Sequence, residues 1–324
     1  MSLTDTTTRA VDRLSVPLIV APMTGVSGVN LVAAACRAGV VGSFPTHNAG
    51  SPVELDDWLH RIAAARPPAG QWGLVAPNLV VHRSNPRLDD DVEVLARHRV
   101  ELVIASVGSP ASIVEPLHAA GTQVLADVAS LRHVDRALEA GADGLVLLGA
   151  GAGGQTGWAN PFAFVRAVRE RFAGPIVLAG GIGDGWALHA ARVLGADLGY
   201  LGTRFIASAE SLASDAYRSA LVSATMDDVH LTAGAGGLPA SLLEGSPSSS
   251  GGGFSQAGLL AAGEVWSAGH CVSGVHRVEP AAEIISRVER EYLSAVAASD
   301  NVAWPDLRRR GRITPPHSRS PSAG

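Results

Sequence analysis

A chain of 324 residues, 47% hydrophobic and 17% charged, describes a soluble globular protein large enough for one barrel or two small domains. The net charge of −5 lacks the basic field of a general nucleic-acid binder, and all 25 basic Lys/Arg residues are arginine, which excludes Schiff-base lysine chemistry, pyridoxal phosphate included, and a lysine-bearing Walker A loop. No apolar run approaches the roughly 20 residues of a membrane span, the polar N-terminus lacks a signal peptide's basic start and apolar core, so a cytoplasmic location is expected, and Cys36 and Cys271 form neither a disulfide framework nor a metal-ligand pattern.

Residues 1–13 are polar and read as a flexible N-terminus. Val16 to Ala21 fits a first buried strand ending at Pro22-Met23, with Ser27 capping a helix through Ala38. Val40 to Phe44 is a second strand, and Pro52 to Ala65 a helix with Ser51 as N-cap. Trp72 to Ala76 is a third strand with Asn78 just past its end, followed by a helix over Leu88 to His98. Glu101 to Ser106 is the fourth strand, a helix begins at Pro110, and Gln123 to Ala126 is the fifth with Asp127 at its end. A helix from Leu131 to Ala140 then stops at Gly141. Gly144 to Leu148, Pro175 to Ala179 and Leu198 to Leu201 are three more strands, each ending in glycine and separated by one helix length. Eight strands alternating with helices favour an α/β fold of the (β/α)8 TIM-barrel type over residues 14–225. No Gly-x-Gly-x-x-Gly follows the first strand, so a dinucleotide fold is disfavoured. Residues 226–300 read as a loop-rich insertion, Gly/Ser-rich over 233–258 and able to cover the barrel mouth, with a last helix from Pro280 to about Ala297 packed on the barrel. Residues 301–324 read as a disordered tail.

The glycines at the strand ends have a physical use. A phosphate held by backbone N–H groups needs a chain without Cβ atoms that can take positive φ, and Gly180, Gly181, Gly183 and Gly185 supply one, with the helix over Gly185 to Leu194 aiming its N-terminus at the same anion. A glycine after a strand can also be only a turn, but Gly-Gly after the seventh strand and Gly-Thr after the eighth match the phosphate grip of a barrel.

Ala21-Pro22-Met23 followed by Gly25-Val-Ser-Gly28, then Asn78, Gly153-Gly154-x-x-Gly157, Ala179-Gly-Gly-Ile182 and Leu201-Gly-Thr-Arg-Phe-Ile-Ala207 resemble the nitronate monooxygenase family, formerly 2-nitropropane dioxygenases. The resemblance covers about residues 14 to 223 and returns at Trp266–Gly269 and in the last helix. It implies an FMN-binding β/α barrel, in a family that includes flavin-dependent enoyl reductases. By this resemblance Pro22, Met23 and Thr24 lie against the flavin ring, Asn78 bonds its polar edge, and Gly180, Gly181, Gly202 and Thr203 hold the phosphate, with Gly154 completing the cofactor-binding set. On spacing alone Met23 reads as core, and Asn78 equally as a turn residue.

The main departure is Gln155. Nitronate oxidisers of the family carry Ala-Gly-Gly-His-x-Gly, whose histidine is the base, whereas this chain reads Ala152-Gly-Gly-Gln-Thr-Gly157. An amide orients a substrate but takes no proton near neutral pH, so base catalysis from this position is lost. Oxidation of a preformed nitronate could persist; oxidation of the neutral nitroalkane is not expected. His133, after the fifth strand, and His47, after the second, are candidate catalytic replacements, with helix capping and loop packing as their plainer roles. His270 could also approach the flavin, whereas His60, His98, His118 and His189 sit within helices and read as solvent-facing. The expectation is an FMN-dependent oxidoreductase of the nitronate monooxygenase type acting on a small or medium organic substrate with O2 as acceptor. The alternatives are an NAD(P)H-dependent enoyl reductase and a flavin-binding protein with little turnover. No metal is expected.

Overall fold

The computed structural model describes residues 13–233, 238–246 and 265–300. Along the chain run β1 (Leu18–Val20), α1 (Val29–Arg37), β2 (Val41–Pro45), α2 (Pro52–Ala64), β3 (Val75–Val80), α3 (Leu88–Arg97), β4 (Leu102–Ser106), α4 (Ala111–Ala119), β5 (Gln123–Val128), α5 (Leu131–Glu139) and β6 (Gly144–Leu148). After the two-residue β7 (Gly154–Gln155) come α6 (Pro161–Arg169), β8 (Ile176–Ala179), α7 (Gly185–Leu194), β9 (Leu198–Leu201), the single turn α8 (Thr203–Ile206), α9 (Asp215–Ser223), β10 (Val229–Ala233), β11 (Pro239–Leu243) and α10 (Ala281–Asp300).

Strands covered on both faces need near-continuous apolar sequence, and the inward layer here includes Ile19, Val41, Ala76, Ile104, Leu125, Val146 and Val177, all buried. The eight parallel strands β1–β6, β8 and β9 form a closed barrel, sealed by β1 on β9 with Leu18 opposite Gly199 and Val20 opposite Leu201. The expected (β/α)8 barrel is the fold, with a C-terminal extension. Among the described residues no helix is long and apolar enough to cross a membrane.

Four local expectations need correction. β3 runs past Ala76 to Val80, so Asn78 lies inside it: Pro77 gives up one donor but keeps register with Phe44, while the ladder to β4 starts at Asn78. β5 likewise runs to Val128 and takes Asp127 into the strand, opposite Val146. Ser27 does not cap α1, because its hydroxyl donates to the Ala21 carbonyl and accepts from the Met23 N–H; Gly28 occupies the cap position. Part of the expected mouth loop is a strand: β11 pairs antiparallel with both β10 and β7, while residues 234–237 and 247–264 lie outside the described residues, as do 1–12 and 301–324. Ser51 caps α2 as expected, accepting from the Glu54 N–H at 3.1 Å.

α10 packs on α7 and α1, and Gly185 sets how closely. A Cβ there would lie 2.1 Å from the Tyr292 nitrogen and 2.3 Å from the Val288 oxygen, both backbone atoms of α10. Overpacking a close contact costs about 1–3 kcal/mol or more. Gly185→Ala is therefore expected to lower the unfolding free energy, read from urea denaturation, by an amount in that range; an unchanged free energy would mean that α10 is not seated on Gly185.

Candidate active site

The carboxyl ends of the barrel strands surround a cavity of about 260 Å³. One wall is the loop after β1. Its shape depends on Asn48, whose amide donates to the carbonyls of Met23 at 2.9 Å and Ser27 at 2.8 Å and accepts from the Gly25 N–H at 3.0 Å. Pro22, Met23 and Thr24 are thereby presented to the cavity. His47, on the short turn Thr46–Asn48 after β2, also faces it, with Nε2 2.9 Å from the Thr24 hydroxyl. The ring is 4% exposed, and burial, helped by the nearby Arg87 charge, lowers its pKa to about 4. It is a neutral imidazole at ordinary pH, and its Nδ1 is buried without a hydrogen-bond partner. Behind the turn, Arg87 donates to the Ala49 carbonyl and to Asp91, a carboxylate that is fully buried.

The floor is polar. Asn78 on β3 donates to the Ile104 carbonyl and accepts from the Ser106 hydroxyl at 3.2 Å. Asp127 of β5 and Tyr200 of β9 complete it. The third side carries the glycines. Gly180 and Gly181 have φ of +117° and +74°, and a Cβ on Gly181 would meet nothing within 4 Å, so the backbone there borders open space. Beside them, after the neighbouring strand β9, stands Gly202, followed by the buried Thr203, whose hydroxyl accepts from the Gly269 N–H at 2.9 Å. Gly183 and Gly185 do not belong to this side: a Cβ on Gly183 would strike Cys271, and Gly185 is packed under α10. The N-terminus of α7 is likewise closed to an anion. Asp184 accepts from the Ala187 N–H and Glu291 from the Gly185 N–H, so two carboxylates already occupy it.

Over the mouth, Gly154 (φ +64°) and Gln155 form β7, held by pairing to Ser241 and Ala240 of β11. β11 is tied down in turn through Ser267, which bridges to Leu242 and donates its N–H to the buried Tyr217 hydroxyl at 2.8 Å. Gln155 itself is solvent-exposed at the cavity rim. His133 lies elsewhere: exposed in the first turn of α5, it accepts from the Ala129 N–H, while Ser130 caps the helix. His270 is exposed and outside the cavity, which Cys271 reaches instead. His98 and His118 are not solvent-facing, being half-buried against Asp56 and Asp143.

The nitronate monooxygenase family model matches residues 69–246. The chain belongs to this family. Nitronate monooxygenase of Paraburkholderia phytofirmans is 29% identical, covering 86% of this chain and 93% of its own length. That of Pseudomonas aeruginosa is 30% identical, covering 68% and 74%. A relative from Mycobacterium tuberculosis named (3aS,4S,5R,7aS)-5-hydroxy-7a-methyl-1-oxo-octahydro-1H-indene-4-carboxyl-CoA dehydrogenase is 27% identical, covering 69% and 61%. Among solved structures, FabK from Thermotoga maritima superposes with a TM-score of 0.76 at 25% identity over 90% of this chain and 98% of its own. A nitroalkane oxidase from Streptomyces ansochromogenes shares the fold, with a TM-score of 0.77 at 23% identity over 89% and 99%. As a nitronate monooxygenase family member the chain is an oxidoreductase, and family members act on small molecules.

Sequence reasoning missed Asn48, Ser106, Asp127 and Tyr200. Period-two alternation through β4, β5 and β9 would have turned the last three inward once the strand ends were right.

His47 has a measurable linkage. An unfolded histidine titrates near 6.5 and His47 near 4, so the unfolded chain binds the proton first, and this contribution to stability is present above about pH 6.5 and lost as pH falls toward 4. Asp127, with a raised pKa, acts in the opposite sense, so the effect is read by difference. Between pH 7 and pH 4 the wild type is expected to lose about 3 kcal/mol more unfolding free energy than His47→Gln; equal losses would show a ring that is not held neutral.

Proposed function

We propose that the cavity binds FMN and that the protein is an FMN-dependent oxidoreductase of the nitronate monooxygenase type, oxidising a small or medium organic substrate with O2 as electron acceptor. The observation that carries this reading is the opening between two backbone segments, Gly180–Gly181 and Gly202–Thr203, where no side chain competes for an anion and the Gly181 Cβ position is empty. Among the described residues lining the cavity there is no arginine; Arg204, beside Thr203, donates to the Gly183 carbonyl instead. A phosphate here would rest on backbone N–H groups and the Thr203 hydroxyl. Pro22, Met23 and Thr24 would wall the ring, Asn78 would bond its polar edge and Gly154 would close over it. Bound there, FMN supplies the reversible electron acceptor that no side chain can provide.

The chain's own groups do the rest. Asn48 fixes the ring wall, and β7, through its pairing to β11, holds Gln155 at the rim, where its amide can donate to a substrate oxygen. His47 stays neutral, so its contribution is a hydrogen bond through Thr24 rather than a charge. A second reading, hydride taken from NAD(P)H and delivered to an activated alkene such as an enoyl thioester, draws its support from the relative named a carboxyl-CoA dehydrogenase.

The protein is expected to purify with noncovalent FMN and an oxidised-flavin absorbance band. Gly181→Asp has room for its side chain, at the cost of some backbone strain at a φ of +74°, and should lose the flavin by setting a carboxylate against the phosphate, with Gly181→Ala carrying the same strain without the charge as the control. A colourless wild type that cannot be reconstituted with FMN would refute the assignment. With the yellow protein, nitronate-dependent O2 uptake supports the first reading, and NAD(P)H oxidation on addition of an enoyl thioester the second.

A further inference from the structure

The cavity floor holds two polar atoms that the cofactor assignment leaves idle. Asp127 Oδ1 and the Tyr200 hydroxyl are both buried without a hydrogen-bond partner, although both side chains line the cavity. Leaving such an atom unmet is costly, the more so for a charged group, and a ligand in the cavity would meet it. The two act on one another, since the Asp127 charge is among the causes that raise the Tyr200 pKa. They share the cavity with Gln155, which cannot take a proton.

We propose that Asp127 is a catalytic base of this site, accepting a proton from a neutral carbon acid, and that Tyr200 donates a hydrogen bond to the oxygen on which the resulting charge settles. The proposal deepens the oxidoreductase reading and rests on it. It reverses the expectation that a neutral nitroalkane is beyond this chain. With such a substrate the C–H bond next to the nitro group breaks, an O–H bond forms on Asp127, and the electron pair stays on the substrate as the nitronate. That anion is the electron-rich species the oxidation consumes.

The electrostatics suit the role. Burial pushes the Asp127 carboxyl up to about 7, close to the operating pH at which a general base is most effective. Of the other titratable groups lining the cavity, His47 is neutral, Tyr200 and Tyr217 keep their protons because burial raises them, and the Cys271 thiol is also raised. Among the described lining residues no arginine holds Asp127 in its charged form, and no second carboxylate pushes it further up. On the helices flanking β5, Arg132, His133, Asp135, Arg136 and Glu139 of α5 and Glu115 of α4 are exposed, and His118 is paired with Asp143.

The test has one arm that does not depend on turnover. Infrared difference titration of the flavin-loaded protein, wild type minus Asp127→Asn, should reveal one carboxyl that ionises near pH 7; an Asp127 that ionises in the ordinary range near 4 overturns the proposal. In the second arm kcat/KM is measured for nitroethane and for preformed ethyl nitronate. The wild-type value for nitroethane should rise with pH through about 7. Asp127→Asn should lower it by about 10²–10⁴-fold, with a far smaller fall for the nitronate. Equal falls for both substrates, or no fall for nitroethane, overturn the proposal. Tyr200→Phe should weaken nitroethane turnover while leaving the midpoint of the pH profile with Asp127; a lost pH dependence in this variant would move the base to Tyr200. If the wild type turns over neither nitro compound, the nitronate reading has failed, and the carboxyl titration still decides whether Asp127 is a base poised near neutrality.

Discussion

Everything at the mouth of this barrel depends on the pairing of its first strand with its last. With β1 hydrogen-bonded in register to β9, and the Ala21 N–H donating to the Leu201 carbonyl at 2.9 Å, the loop that begins at Pro22 and the turn that begins at Gly202 leave the barrel side by side. A Cβ on Gly202 would already touch the Met23 sulfur at 3.4 Å and the Ala21 Cβ at 3.5 Å. Two segments some 180 residues apart in sequence thus become adjacent walls of one chamber. Without closure there would be an apolar loop and a glycine turn, but no cavity between them.

Among its described lining residues the chamber has no arginine. Among its described lining residues anionic ligands find backbone and hydroxyl donors, and the groups that titrate are pushed toward neutrality by burial: His47 down, Asp127, Tyr200 and Tyr217 up. Desolvation is the first cause in each case, the same physical effect acting on acids and bases with opposite sign. Charge has been moved to the outside, where Asp184 and Glu291 cap α7 and Arg204 braces Gly183 from behind. Among the described lining residues Asp127 is the one carboxylate, which gives it its weight in the proposed chemistry.

The barrel was legible because its punctuation is local. β6, β9 and α7 match the bounds read from apolar runs and glycines, and Ser51 and Pro52 announced α2. Where a strand contains a residue that usually ends one, the reading stopped short: the third strand was ended at Ala76, before Pro77, and the fifth at Ala126, before Asp127, and stopping there hid the inward-facing Asp127. Glycine is ambiguous in another way. Gly181 and Gly185 stand four residues apart in one Gly-rich run, yet one borders open space and the other lies beneath α10, a helix about 100 residues downstream; only tertiary packing separates them. His133 and His47 both follow strands, but His133 stays exposed with its ring bonded to Ala129 in its own turn, whereas His47 is buried against Thr24, 23 residues earlier in the chain. Asn48 gave no signal at all, since each of its hydrogen bonds reaches back more than 20 residues.

The central claim is that a glycine-built, cation-free grip holds the phosphate of a flavin. Phosphorus NMR of the purified yellow protein addresses that contact directly. A phosphate enclosed by backbone N–H groups is held as the dianion, so its resonance should keep one position from about pH 5 to about pH 8, on either side of the second phosphate pKa near 6. A bound cofactor whose phosphorus signal titrates near pH 6, as a solvent-exposed phosphate does, would contradict the account.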